Sequence, residues 1–251
     1  MARTGLTGGI GRERHRRGLL AKRQPLGHGL LDRLVEWWPL TEQSGVRLGV
    51  HGGINLADIN TVTGADGVGS LASQFTAANT EQLSIASLAA LQMGDVDFTI
   101  VAWAYPTSSS GTKVIVSKDN NTAGTRDYEL APFNTDLEFN VFRATDTARQ
   151  AILAGVMTAN AWQMCAGWHN AAADTVNVER NASGTIASTA TGGALQAASA
   201  SEFQIGARQF VSSRAAWDGR IQRVGIWRRV LTADERTWLY NGGRGRDYPF
   251  V

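Results

Sequence analysis

Asp119, Asn120, Asn121, Arg126 and Tyr128 fall within one short polar stretch of the chain. Carboxylate, amide and guanidinium groups at this density suit hydrogen bonding to sugar hydroxyls, and a tyrosine ring offers the flat apolar platform on which a sugar rests. Arg214 and Trp217 bring the same pair of chemistries from a second loop. These seven residues are the candidate ligand-binding set. Trp103, Trp162 and Trp168 fall on apolar strand faces and are expected in the core, while Trp227 and Trp238 are expected to pack a terminal helix onto a sheet.

Hydrolysis of a glycan asks for more. A retaining glycosidase needs two carboxylates about 5 Å apart. Asp95 and Asp97 alternate only at a strand entrance, where acids cap turns, and Asp127 and Glu129 flank Tyr128 without a third acid. Nothing resembles a nucleophile elbow, so no residue is assigned to catalysis. His15, His28, His51 and His169 are scattered, and no Cys/His group has zinc spacing. Calcium is admissible at two loops, one with Asp58, Asn60 and Asp66, the other with Asp119, Asn120 and Asn121. Ordinary polar turns use the same residues, and the metal ligands stay unassigned. The single cysteine, Cys165, excludes an internal disulfide and sits in an apolar strand, where a buried inert thiol is expected.

The elements that must position these groups are short strands. Residues 34–40 (Leu-Val-Glu-Trp-Trp-Pro-Leu) read as an edge strand, because Pro39 cannot donate to a ladder. Residues 41–72 are rich in Gly, Asn, Asp and Thr and read as surface loops. Residues 73–75 and 82–85 read as brief strands. Residues 97–105 are apolar on both faces, which places that strand centrally. Residues 114–118 and 127–131 form a hairpin around the polar loop 119–126. Leu137, Phe139 and Val141 alternate with Glu138, Asn140 and Phe142, and Trp162, Met164, Ala166 and Trp168 line one face of a further strand. Val176 and Val178, then Phe203 and Ile205, continue the pattern. Near the end Thr232 and Glu235 make a capping box for one short helix, closed by Gly242 and Gly243. Many strands with one helix predict an all-β, antiparallel two-sheet sandwich over residues 34–251.

The first 33 residues differ. They hold eight basic side chains against two acidic ones, a balance of +6, whereas the rest of the chain stands at −4. No apolar run is long enough to cross a membrane, and no secretory signal is readable. An extended arm of this length reaches roughly 100 Å. Three readings stand open for it: a solvated terminus, a strip that docks on a partner protein, or a binder of nucleic acid or anionic membrane. Arg12, Arg14, Arg16, Arg17, Lys22 and Arg23 are its docking candidates.

Taken in order, the landmarks 34–40, Gly67 to Phe75, 97–103, Val116-Ser117-Lys118, Trp162, 203–208, 217–221, 224–227, 229–235 and 239–243 resemble the laminin G-like, concanavalin A-like jelly-roll family. The resemblance spans about residues 34–245. It implies a binding fold more often than a catalytic one. Glycosidases of that family carry Glu-x-Asp-x-x-Glu on one strand, and this chain has no such strand. The compact form is similar to single domains of bacteriophage virions and bacterial surfaces. That similarity implies a non-enzymatic structural and adhesion module, made in a bacterial cytoplasm and mounted on a virion as a decoration or fibre component. The arm would meet other virion proteins, the sandwich would meet host glycans, and a homo-oligomer is expected. The alternatives are a freestanding carbohydrate-binding protein at a bacterial surface and a polysaccharide-cleaving glycosidase.

Overall fold

The computed structural model describes Met1 and residues 29–197, 199–208 and 215–250. The described strands are β1 (Leu34–Trp38), β2 (Ala57–Ile59), β3 (Thr63–Asp66), β4 (Leu71–Phe75), β5 (Gln82–Ile85), β6 (Phe98–Pro106) and β7 (Val116–Lys118). They continue as β8 (Tyr128–Phe133), β9 (Asp136–Phe142), β10 (Ala148–Leu153), β11 (Gln163–Asn170), β12 (Thr175–Arg180), β13 (Ile186–Ala190), β14 (Phe203–Ile205) and β15 (Gly219–Trp227). One α-helix, α1 (Ala233–Tyr240), follows.

The strands form two antiparallel sheets. One runs β13-β12-β11-β6-β15-β4-β3, with β1 also pairing with β15. The other runs β10-β9-β8-β7-β14-β5-β2. A register shift in β15 between Gln222 and Gly225 lets its first half pair with β4 and its second half with β1. Arg223 sits at the irregular point with φ 52, and its N–H donates to Pro39 O at 3.1 Å, which pins it.

Strand β6 shows why the sandwich has two apolar layers. Phe98, Ile100, Ala102 and Ala104 face the space between the sheets and join Leu130, Phe139, Val141 and Ile205 from the opposite sheet. Val101 and Trp103 point the other way, into a second cluster with Trp37, Met164, Trp227, Leu231, Leu239 and Phe250. The strand is buried on both faces, as its unbroken apolar run predicts. Helix α1 carries the expected capping box: Glu235 N donates to Thr232 Oγ1 at 3.2 Å, and Thr232 N donates to Glu235 Oε2 at 2.8 Å. Its left-handed exit starts one residue earlier than expected, at Asn241.

Two boundaries move. Residues 41–72 contain β2 and β3, not loop alone. The body begins at Gly29: Leu30 is fully buried, Trp227 Nε1 donates to Leu30 O at 2.7 Å, and Arg229 Nη2 donates to Gly29 O at 2.8 Å. The division at residue 33 therefore cuts through packed chain. The docking residues proposed for the arm, from Arg12 to Arg23, lie outside the described residues.

Candidate functional site

The two sheets differ in what covers their outer faces. That of the β6 sheet is sealed by α1 and the C-terminal segment. Trp103 stacks on Tyr240 with ring centroids 5.8 Å apart, and Phe250 meets Trp37 edge-on at 5.0 Å. The outer face of the β8 sheet is polar along its middle, where Ser117, Glu129, Asn140 and Gln204 are buried, and exposed towards the ends of β8 and β10.

The register places one line of residues across all seven strands of that face. Ala57 pairs with Ser84, Ser84 with Gln204, Gln204 with Ser117, Ser117 with Glu129, Glu129 with Asn140, and Asn140 with Gln150. Directly paired residues share a face and neighbours along a strand alternate, so all seven point away from the core. Six of the seven are polar. On the same parity Phe133 ends β8 and Ile152 nearly ends β10; both are exposed, at 46% and 45%. Between them Gln150 Nε2 donates to Glu138 Oε2, and burial raises the Glu138 carboxyl above its ordinary range.

Further along the face Arg126 grips Asp119 with two bonds, Nε to Oδ1 at 2.9 Å and Nη2 to Oδ2 at 3.0 Å. Its guanidinium also lies 3.7 Å over the Phe142 ring. Arg208 Nη1 stands 3.7 Å from Asp119 Oδ2 and 3.3 Å from Glu129 Oε2. The second approach is an ion pair without hydrogen-bond geometry, and Glu129 Oε2, Gln204 Oε1 and Arg208 Nε have no hydrogen-bond partner among the described residues. Burial pushes the Glu129 carboxyl up to about 7 in spite of Arg208. On the inner side of the same hairpin Lys118 donates to Ser87 Oγ at 3.1 Å and Ser199 O at 3.0 Å, and burial lowers its ammonium to about 8.

The residues singled out from the sequence divide. Asp119 and Arg126 pair on the outer side of the β8 sheet, with the Asp119 carboxylate fully buried. Asn120 Oδ1 accepts from Thr122 N at 2.9 Å, and Asn121 N donates to Asp119 Oδ1 at 2.6 Å, so this part of the loop is organised around its own turn. Tyr128 and Trp217 are corrections. Both are fully buried between the sheets, and Tyr128 donates its hydroxyl to Leu91 O at 2.9 Å. Tyr128 sits at an inward parity of β8, so its ring packs on Phe98 rather than facing a ligand. Arg214 lies outside the described residues. Sequence reasoning passed over Phe133, Gln150, Arg208 and the two ends of the polar line; the parity of Glu138 and Asn140 on β9 was the signal that leads to them.

The loops considered for calcium do not fit it. Asp119 is already neutralised by two guanidiniums, and Asp58 spends its oxygens on Val62 N at 2.8 Å and Gly45 N at 3.0 Å. Among the described residues no three His, Cys, Asp or Glu side chains gather as metal ligands. Cys165 is buried, and burial pushes its thiol up to about 12.

A family model described as the concanavalin A-like lectin/glucanases superfamily matches residues 77–235, more than half of the chain. The chain belongs to that superfamily. No curated protein matches its sequence. Among solved structures this superfamily member is similar to the binding domain of paraclostridial mosquitocidal protein 1, with a TM-score of 0.68 and 14% identity over 85% of this chain and 53% of that one. It is similar to the botulinum neurotoxin serotype D ligand-binding domain in complex with N-acetylneuraminic acid, with a TM-score of 0.61 and 11% identity over 86% and 52%. It is also similar to domain 4 of AbnA, a GH43 extracellular arabinanase from Geobacillus stearothermophilus, in complex with arabinotriose: TM-score 0.62, 12% identity, 82% and 97%. The chain spans about half the length of the toxin domains it matches, and at these identities the likeness is one of fold.

Proposed function

We propose that this chain is a non-enzymatic carbohydrate-binding and adhesion module whose ligand lies on the outer face of the β8 sheet. One observation carries the reading: with the opposite sheet sealed by α1, the outer face of the β8 sheet sets exposed Phe133 and Ile152 around the Glu138–Gln150 pair. An apolar ring edge beside amide and carboxylate acceptors is the chemistry that sugar rings take. The sugar-bound neighbours support the class of ligand. The finer reading, that the module is a bacteriophage virion component anchored through Arg12, Arg14, Arg16, Arg17, Lys22 and Arg23, is supported by the basic balance of that segment; a freestanding bacterial surface protein is its alternative.

Hydrolysis is the rival from another class. Asp119 and Glu129 both approach Arg208 Nη1, which puts their oxygens no more than about 7 Å apart, in the range of glycosidase acid pairs. Yet both side chains are buried, and the guanidinium fills the gap in which a glycosidic oxygen would have to sit. Binding is the better account.

The test is a glycan array probed with the full chain, with calcium and then with chelator, beside the Phe133→Ala and Gln150→Ala variants. Binding to a defined glycan class that both variants lose supports the reading. Binding that survives both variants moves the site elsewhere, and sugar release from any arrayed polysaccharide overturns the non-enzymatic assignment.

A further inference from the structure

The cover over the β6 sheet stops one row short of its far end. Met164, Trp103 and Gln222 pair across β11, β6 and β15 on the outer side and are buried, with Trp103 beneath Tyr240. Two residues further along the strands, about 7 Å, the next outward row is partly exposed. It consists of Trp162, Tyr105, Arg220 and Gln74. Tyr105 pairs with Arg220, and Arg220 with Gln74. Trp162 precedes β11 and lies opposite Tyr105 by the register that sets Gln163 against Ala104. Trp162 is expected in the core from its apolar strand face, yet it is buried only in part.

The side chains of this row hold one another in place. The Trp162 and Tyr105 rings meet at 55° with centroids 5.5 Å apart, and the Arg220 guanidinium lies 5.1 Å from the Tyr105 centroid. Trp162 rests on the apolar cluster beneath α1. Arg220 is fixed in turn, Nε donating to Gln74 Oε1 at 3.2 Å and Nη1 to Asp66 O at 3.1 Å. Gln74 Nε2 donates to Gly219 O at 3.1 Å. The Tyr105 hydroxyl and the Trp162 indole N–H, both uncharged, bond to no described residue.

These features select a ligand class. Strand β6 is laddered to β11 and β15, and β15 to β6 and β4, so the row offers no free backbone edge to which a peptide strand could add. Arg220 spends two of its groups within the row, and the chain beyond residue 33 stands at −4, which disfavours a polyanion such as nucleic acid. Apolar ring surface with neutral N–H and O–H groups at its edge suits a neutral sugar, whose C–H face lies on a ring while its hydroxyls bond at the rim.

We propose that Trp162 and Tyr105 form a second carbohydrate platform, for a neutral oligosaccharide, on the outer side of the β6 sheet beyond the reach of α1. This site goes beyond the reading above, which places a ligand on the β8 sheet. The two sites share a ligand class and no residue.

The experiment follows two side-chain resonances of the full chain, the Trp162 indole N–H for this platform and the Gln150 amide for the β8 sheet. Cellohexaose, xylohexaose, arabinohexaose or a short poly-thymidine strand is added. At least one of the sugars should shift the Trp162 signal saturably, and Trp162→Ala should weaken that binding about tenfold or more, as loss of a stacked ring does. Trp162→Phe should keep part of the affinity, and Tyr105→Phe, which removes only a hydroxyl, should lose less than Trp162→Ala. Should Trp162→Ala fail to fold, the phenylalanine variants and the wild-type signal still decide. A sugar that shifts Gln150 and leaves Trp162 unmoved overturns the platform and leaves the β8 reading intact. A shift of Trp162 alone supports the platform and overturns the β8 site. Poly-thymidine that shifts Trp162 where no sugar does overturns the sugar as ligand here, and no shift of either signal by any sugar overturns both sites.

Discussion

Arg236 donates from Nε to Glu179 Oε2 at 2.6 Å, joining α1 to β12 through a pair that is almost wholly buried. The same guanidinium lies 4.2 Å over the Trp168 ring and donates to Leu231 O at 2.6 Å, while Glu179 Oε1 takes Gly184 N at 2.7 Å. Both Glu179 oxygens and the Nε and Nη1 of Arg236 are engaged, so the pair is the polar bolt that holds the helix on the β6 sheet.

Breaking that bolt from one side should be costly. Arg236→Ala leaves a buried carboxylate without its cation, and a loss of about 3–5 kcal/mol in urea unfolding is expected. Replacing both residues with apolar ones of similar size, Arg236→Met with Glu179→Leu, should cost much less. If the single and double variants lose the same stability, the pair is not coupled.

Much of this arrangement was legible because parity and capping are local. The capping box at Thr232 and Glu235, the hairpin that pairs Lys118 with Tyr128, and the two-faced burial of β6 follow from short-range pattern. The open face was half legible. Asp119 and Arg126 stand out by composition, but Tyr128 opens β8 at a position that turns its ring inward, which its place beside a polar loop does not reveal. Strands β10 and β13 escaped notice: Ala148–Leu153 has no strict alternation, and Ile186–Ala190 is an edge with small side chains. The approach of Arg143 and Arg149 to Gly192 and Gly193 depends on contact between the edges of two different sheets, which no local pattern encodes.

The position of Leu30 sets the N-terminal limit of the fold. Its side chain is fully buried in the cluster beneath α1, beside Trp227. Leu30→Ala should cost about 2–5 kcal/mol, as truncations in packed cores do. A thermal midpoint unchanged by the substitution would return the boundary to residue 34.

Glu36 is buried on β1 without a cation and gathers backbone donors in its place. Its Oε1 accepts from Trp37 N at 2.9 Å, His51 N at 2.8 Å and Gly52 N at 3.0 Å, and its Oε2 accepts from Ile54 N at 2.6 Å. Glu36→Gln keeps the shape but turns one acceptor into a donor that faces an N–H. A loss of about 3 kcal/mol is expected, with faster amide exchange at residues 51–54. Exchange that stays as slow as in the wild type would mean that the loop is held by other contacts.

Glu129 should shape how stability depends on pH. Its carboxyl sits at about 7 in the folded chain against an ordinary 4.5, chiefly through burial, and Asp127 is raised in the same way from 3.8 to about 6. A raised folded value means that the folded state holds its proton more firmly than the unfolded one. The associated stability is complete below about pH 4.5 and is lost as pH rises through 7. Glu235 works in the opposite sense, since its carboxyl is lowered by Arg229 and the helix cap against the effect of burial, so its contribution fades in acid. Glu129→Gln removes the first effect alone. Urea unfolding should find the variant equal to wild type near pH 4.5 and more stable by about 1–3 kcal/mol at pH 8. A variant whose profile runs parallel to wild type across that window would show that Arg208 and Arg126 keep Glu129 ionised, and the open face would then carry a second full negative charge beside Asp119 at neutral pH.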